Sequence, residues 1–412
     1  MKRLPPAILI LIVLPATAGL VAHYPLDGSA QDTTVGAHHL TGYAVNGVDK
    51  PELVASGGRS GGFARFDGQN LFNTTWLPVT GNGDRTLMFF IRTRGTNAGT
   101  SGTTTQFFGG WGSPDLGTRV RFDLGFEAAS NSKLRAEFNS GFLNSSDTTA
   151  LNGGMWHHLA ISYVGSTKTA TFYLNGTAYG SAVAAGTLNT GGGTPDVGIT
   201  LGGDTRAGGV RSGASTQTPN RFFKGDIDEV RVYDTALTQG EIQTYLDDLR
   251  DNGPQIVFFE SDLPLSPPGV TRTLRYQLSA AVTTADLDHG LGTVLPVDAF
   301  GYGTVTVTPT ETTTWTLATA RGLDIAQATA TIEVSSTPQV RSFSYQPAIT
   351  RSKLWVFLPQ SAMNYRVVRG TTLDSFPDVI QSFTAPTLPF VEVRDTTAPA
   401  GRAFYRLEEI AP

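Results

Sequence analysis

Apolar and polar residues alternate along most of this chain, and Gly, Asn and Asp interrupt the alternation at short intervals. Residues 156–180, WHHLAISYVGSTKTATFYLNGTAYG, show the pattern most clearly. Leu159, Ile161 and Tyr163 fall on one face of a strand, and Ala170, Phe172 and Leu174 on one face of the next, with a turn at Gly165-Ser166. Asn175-Gly176 fits a type I′ turn, so a third strand is predicted directly after it. Repeated meanders of this kind predict an all-β chain built from two-sheet sandwiches. A helical period stands out at residues 239–250. There Thr238 and Glu241 form a capping box ahead of an apolar stripe of Ile242, Tyr245, Leu246 and Leu249. Asp251-Asn252-Gly253-Pro254 ends this helix and marks a domain boundary. Residues 254–335 are Thr- and Val-rich and predict about seven short strands, and a further β module spans 338–412.

Composition sharpens this picture. A chain of 412 residues exceeds one ordinary core, and 47 Gly, 23 Pro and only 16% charged residues suit short strands joined by turns. The first 18 residues, MKRLPPAILILIVLPATA, read as a secretory signal peptide: two cations, an apolar run and a small-residue site, with cleavage after Ala18. That places the mature protein outside the cell or on its surface, with no membrane insertion after cleavage. Removing Lys2 and Arg3 with the leader leaves 28 basic against 35 acidic residues, so the net charge moves from −5 to −7. An acidic chain without basic runs argues against nucleic acid or an anionic membrane as partner. Cysteine is absent, so the β-cores must hold without disulfides, as suits a bacterial exported protein.

Six stretches occur in the order expected of a known family: VAHYPLDGSAQD, FARFDGQNLF, RTLMFFIRTRG, WHHLAISYVGSTKTATFYLNGTAYGS, ITLGGDTR and FKGDIDEVRVYDTALTQGEI. Together they resemble the landmarks of laminin G-like, concanavalin A-like jelly-roll domains, over residues 19–250. The family often has Trp where this chain has Phe90, a swap of core residues. Residues 254–335 resemble the Ig-like repeats of large secreted bacterial proteins, through LSPPGVTRTLRYQLS, HGLGTV and GTVTVTPTETTTWTLATA. The tail, with NYRVVRGTTLDSF and AGRAFYRLEEI, resembles a small terminal β-sandwich.

Asp226 and Asp228 are the most conspicuous candidates for chemistry, being carboxylates two apart on an apolar strand. Alternation puts Asp228 on the inward face with Val230 and Val232, and Asp226 at the strand's start within reach of water. A buried carboxylate is costly unless it is paired, hydrogen-bonded or metal-bound. Three roles follow: a tie to backbone N–H groups, a Ca²⁺ ligand, or a catalytic pair. The resemblance implies the second, with Asp27 and Asp32 of the opening segment as partners around a structural Ca²⁺. Catalysis lacks the carboxylate run found in concanavalin-like glycosidases. His157 and His158 point to opposite faces of a strand and cannot chelate one ion.

For a bound ligand, Trp111 in the Gly-rich stretch FFGGWGSPDLG reads as a loop aromatic, either exposed to a sugar or folded over the sandwich edge. Arg119, Tyr179, Arg206 and Trp76 are further candidates. The resulting expectation is a non-catalytic binding or adhesion protein that recognises an extracellular glycan or protein. A polysaccharide-cleaving hydrolase or lyase and a self-associating structural protein are the alternatives.

Overall fold

The computed structural model describes residues 19–44, 49–93, 105–112, 121–127, 133–138, 141–145, 151, 154–184, 186–192, 197–204, 221–252, 255–279, 282, 284–294, 301–321, 324–346, 351–359, 363–384, 390–399 and 403–410. The chain divides into two compact units. The first draws on residues 19–43, 51–55 and 62–249, the second on residues 44–50, 56–61 and 250–412.

Among the described residues, fifteen strands build the first unit. They are β1 (Leu20–Tyr24), β2 (Thr41–Ala44), β3 (Glu52–Val54), β4 (Phe63–Asp67), β5 (Asn70–Asn73), β6 (Arg85–Thr93), β7 (Thr105–Gly112) and β8 (Arg121–Glu127). After these come β9 (Lys133–Phe138), β10 (Gly141–Asn144), β11 (Trp156–Val164), β12 (Thr169–Leu174), β13 (Thr177–Val183), β14 (Thr200–Leu201) and β15 (Lys224–Tyr233). An eight-stranded sheet runs β13-β12-β11-β6-β15-β4-β3, with β1 pairing beside β4 along the same edge of β15. A seven-stranded sheet runs β10-β9-β8-β7-β14-β5-β2. Phe66, Phe89, Phe108, Phe122, Phe126, Ile161, Phe172 and Val230 fill one core between them. Alternation explains the layering: Leu87, Phe89 and Ile91 of β6 and Leu159, Ile161 and Tyr163 of β11 turn inward, as the spacing predicts. The predicted turn is present too, with Asn175 and Gly176 at φ of 51° and 78° between β12 and β13.

The predicted helix, α1 (Gln239–Asn252), begins with a reciprocal capping box. Thr238 N–H donates to Glu241 Oε2 at 2.8 Å, and Glu241 N–H to Thr238 Oγ1 at 3.3 Å. Its Ile242, Tyr245 and Leu246 pack with Met88, Ala160, Tyr173 and Tyr233, so the helix covers part of the outer face of the eight-stranded sheet.

One irregularity decides where the two acids point. Asp228 pairs with Phe90 and Arg231 with Met88, so three steps along β15 match two along β6. This is a β-bulge, with Glu229 at a φ of 51°. Ile227 before it and Val230 and Val232 after it all reach the core. The expectation that Asp228 shares a face with Val230 and Val232 is therefore corrected. Asp226 and Asp228 lie on the outer face, and Asp226, expected near water, is fully buried there.

In the second unit, among the described residues, eight strands between Ile256 and Val334 form a three-stranded and a five-stranded sheet around Tyr276, Trp315, Leu317 and Ile332. Six more, between Gln339 and Ile410, form two three-stranded sheets around Leu354, Val356, Tyr365 and Val393.

Candidate functional site

The two buried acids of β15, Asp226 and Asp228, are each held by protein donors. Asp226 Oδ2 accepts from Arg92 Nε and Nη2, both at 2.9 Å, and Oδ1 from Arg65 Nε at 3.3 Å. The Arg92 guanidinium also lies over the rings of Trp156 (4.7 Å) and Phe63 (5.1 Å). Asp228 Oδ1 accepts from the Glu229 N–H at 2.7 Å and so fastens the bulge in which it sits. Glu229 performs the tie between first and last strands. Its Oε2 meets His23 Nε2 at 2.9 Å, Tyr245 Oη at 3.1 Å and Arg231 Nη2 at 3.2 Å, joining β1, β15 and α1. Burial raises the Glu229 carboxyl, but the hydrogen bonds and charges of His23 and Arg231 outweigh it and hold the group below the usual range.

Asp27 and Asp32 are held by main-chain donors. Asp27 accepts from the Gly62 N–H, and Asp32 from the N–H groups of His23 (3.1 Å), Thr34 (2.9 Å) and His38 (3.0 Å). Burial raises the Asp32 carboxyl, and those three N–H groups more than compensate. Among the described residues, no three His, Asp or Glu side chains converge as a metal would require. A calcium ion needs six to eight oxygens around one point, and the carboxylates of Asp27, Asp32, Asp226 and Asp228 do not fit it. If no residues outside the described ones hold an ion, a chelator leaves the melting temperature of the chain unchanged. A fall of about 3 °C or more, worth roughly 1 kcal/mol in a unit of this size, would show that an ion is held.

Of the expected ligand residues, Trp111 lies on β7 instead of a loop. The residue is 3% exposed and its Nε1–H donates to Val79 O at 2.9 Å. Tyr179 sits half-buried on β13 against the core. Trp76 stacks on His38 with ring centroids 3.7 Å apart. Arg119 and Arg206 lie outside the described residues.

A site that sequence reasoning missed lies on the outer face of the seven-stranded sheet. On β8, Phe122, Leu124 and Phe126 face the core, so Arg121 and Asp123 face outward. Arg121 donates through Nε to Asp123 Oδ2 and through Nη1 to Asp204 Oδ1 at 2.7 Å, and Arg221 Nη1 stands 3.9 Å from Asp204 Oδ2. The Arg121 guanidinium lies 3.9 Å from the centroid of Phe107. Phe107, Arg121 and Asp204 border a shallow cleft open to solvent, along with Gly110, Trp111, Gly112, Thr200 and Gly203, while Asp123 and Arg221 stand behind its lining. Gly110 is required here, because a Cβ on it would come within 2.3 Å of Asp123 Cβ. The positions run from 107 to 221, so only strand pairing brings them together. The one signal available was the polar parity of Arg121 and Asp123 between core aromatics.

Residues 66–243 match the sequence model of the concanavalin A-like lectin/glucanases superfamily. This span holds five of the six landmark stretches in whole or part, and the unit is a concanavalin-like domain. Among curated proteins none matches the chain. Among solved structures, domain 4 of AbnA, a GH43 extracellular arabinanase of Geobacillus stearothermophilus in complex with arabinotriose, is 21% identical. It has a TM-score of 0.40 and covers 55% of this chain and 97% of its own. The CBM40 of Ruminococcus gnavus IT-sialidase, bound to α2,3-sialyllactose, is 17% identical, with a TM-score of 0.31, covering 40% and 82%. The heptameric SAP-like pentraxin of Limulus polyphemus is 17% identical, with a TM-score of 0.32, covering 44% and 79%. Likeness at this level carries no argument about ligand. No helix among the described residues is long and apolar enough to cross a membrane.

Proposed function

We propose that the first unit is a glycan-binding module that holds an extracellular sugar in the cleft beside Arg121, Asp204 and Thr200, without cleaving it. The cleft's pre-formed polar network carries this reading. Sugar hydroxyls need donors and acceptors fixed in advance, and here a guanidinium is clamped between two carboxylates and laid on an aromatic ring. Glycosidases instead set an acid and a base or nucleophile on opposite sides of a glycosidic bond. Asp123 and Asp204 both grip the same guanidinium, which suits a clamp better than an opposed catalytic pair. The leader read in residues 1–18 makes the ligand extracellular, and the second unit serves as a spacer or attachment module.

The test is retention of the whole chain on a panel of immobilised polysaccharides, compared with Asp204→Asn and Thr200→Val. Each removes one charge or hydroxyl at nearly constant shape. At least one polymer is expected to retain the parent chain, with retention weakened about tenfold in Asp204→Asn, the scale of one hydrogen bond to a charged group. Unchanged retention in both variants at unchanged melting temperature would remove the cleft as the site. Release of reducing ends or unsaturated sugars would turn the reading toward an enzyme.

A further inference from the structure

One sheet of the second unit runs Asp378–Phe383, Asn364–Gly370, Phe404–Ile410. Among the described residues, the strand Phe404–Ile410 therefore pairs on one side alone. Each of its residues is at least partly exposed, although Tyr405 and Leu407 face the core. The opposite edge, Asp378–Phe383, carries a bulge where it meets Val367 and Val368, a device that keeps a sheet edge from pairing with another chain. Phe404–Ile410 pairs with its neighbour without a register shift and contains no Pro or Lys. We propose that this strand is the docking edge for a second copy of the chain, joined antiparallel about a two-fold axis at Leu407.

Charge selects both the occupant and the register. A two-fold axis normal to the sheet keeps each face on its own side, so Leu407 meets Leu407 of the second copy. That register sets Arg406 against the second copy's Glu408 and Glu408 against its Arg406, with Phe404 against its Ile410 on the same face. Moving the axis by one residue either way sets Arg406 against Arg406 or Glu408 against Glu408, and like charges directly opposite disfavour pairing. Within one chain, Arg406 Nε donates to Glu408 Oε1 at 2.7 Å and Arg366 Nε to Glu408 Oε2 at 2.6 Å. The Arg406 side chain is still 54% exposed, and a guanidinium has donors enough to turn to a second carboxylate. On the facing sheet, Phe343 of the strand Gln339–Gln346 is 51% exposed and reaches Tyr405 at this same edge, ring centroids 5.5 Å apart. A second copy thus shields apolar surface of both sheets. Two three-stranded sheets become one of six strands, and the two-fold axis closes the assembly at two copies. Such a pair carries two first units and can hold a polymer at two points.

Sedimentation of the intact chain from about 1 to about 200 μM should show a monomer–dimer equilibrium. Arg406→Glu, which leaves Arg366 on Glu408, should weaken the dimer at least about tenfold, and Glu408→Lys should do the same. Mixing the two variants should restore it, because each then meets the opposite sign at both contacts. The chain has no cysteine, so Leu407→Cys leaves the charges alone and brings two thiols face to face. With oxidised glutathione it should form a disulfide-linked dimer, whereas Ile325→Cys, at a residue 75% exposed elsewhere, should not. If Glu408→Lys fails to fold, Arg406→Glu and Leu407→Cys decide. A chain that stays monomeric to about 200 μM would overturn the proposal and leave the edge for another protein's strand. Charge variants that dimerise like the parent, or a mixture no better than either variant alone, would overturn it as well.

Discussion

Replacing Arg92 with Ala is expected to lower the unfolding free energy by about 3–5 kcal/mol. The effect comes from what the change leaves behind. Asp226 is fully buried, and Arg92, itself 2% exposed, is its closest cation. Arg65 stays as a partner at 3.3 Å, but its side chain is 34% exposed and its interaction is screened by water, which puts the loss toward the lower end of that range. Arg92→Lys should recover little, because an ammonium cannot both fork onto the carboxylate and lie flat over Trp156. The double variant Arg92→Leu with Asp226→Leu should recover most of the loss, since removing both charges leaves neither one orphaned. Urea unfolding of the parent chain, both singles and the double measures the coupling. A single-variant loss below about 1 kcal/mol would mean that the pair behaves as a surface salt bridge and does not hold the sheet.

The same residues show where sequence reading succeeds and fails. Local rules carried the β11-β12-β13 meander, the Asn175-Gly176 turn and the Thr238-Glu241 box, because each is encoded within a few residues. The face of Asp228 was lost because strict alternation was carried across a bulge. A warning was present: Ile227 and Val230 are three apart and cannot share a face of an unbroken strand. Trp111 was read as a loop residue because its glycines look like turn chemistry. In fact Gly110 belongs to the strand and is bare so that β8 can press Asp123 against it. The clamp of Arg121, Asp123, Asp204 and Arg221 was beyond local rules, since it depends on which strands become neighbours.

Replacing Arg85 with Met is expected to cost about 3 kcal/mol or more, and here no second substitution can restore the loss. Arg85 is fully buried at the end of the core among Trp111, Phe122 and Tyr163, whose ring centroids lie 5.7–6.0 Å from its guanidinium carbon. Its donors go chiefly to main-chain oxygens: Nε to Gly83 O at 2.8 Å, Nη2 to Gly81 O at 2.8 Å and Nη1 to Val79 O at 3.2 Å, with Thr190 Oγ1 at 2.6 Å. Burial pushes this guanidinium down to about 10, against the opposing pull of Tyr163 and Asp84, so its charge is costly and its hydrogen bonds must repay that cost. Met fills the space and removes the charge, yet three carbonyls each lose one donor, Val79 O keeping those of Trp111 and Thr190, and a carbonyl cannot be mutated away as Asp226 can. The loop from Val79 to Gly83 would have to open toward water, carrying with it the carbonyl of Val79 that holds Trp111 at the edge of the cleft. Arg85→Met should therefore lower both the unfolding midpoint and glycan retention, whereas Arg92→Leu with Asp226→Leu should leave retention intact. Equal effects of the two changes on retention would break the link between the carbonyl cage and the binding face.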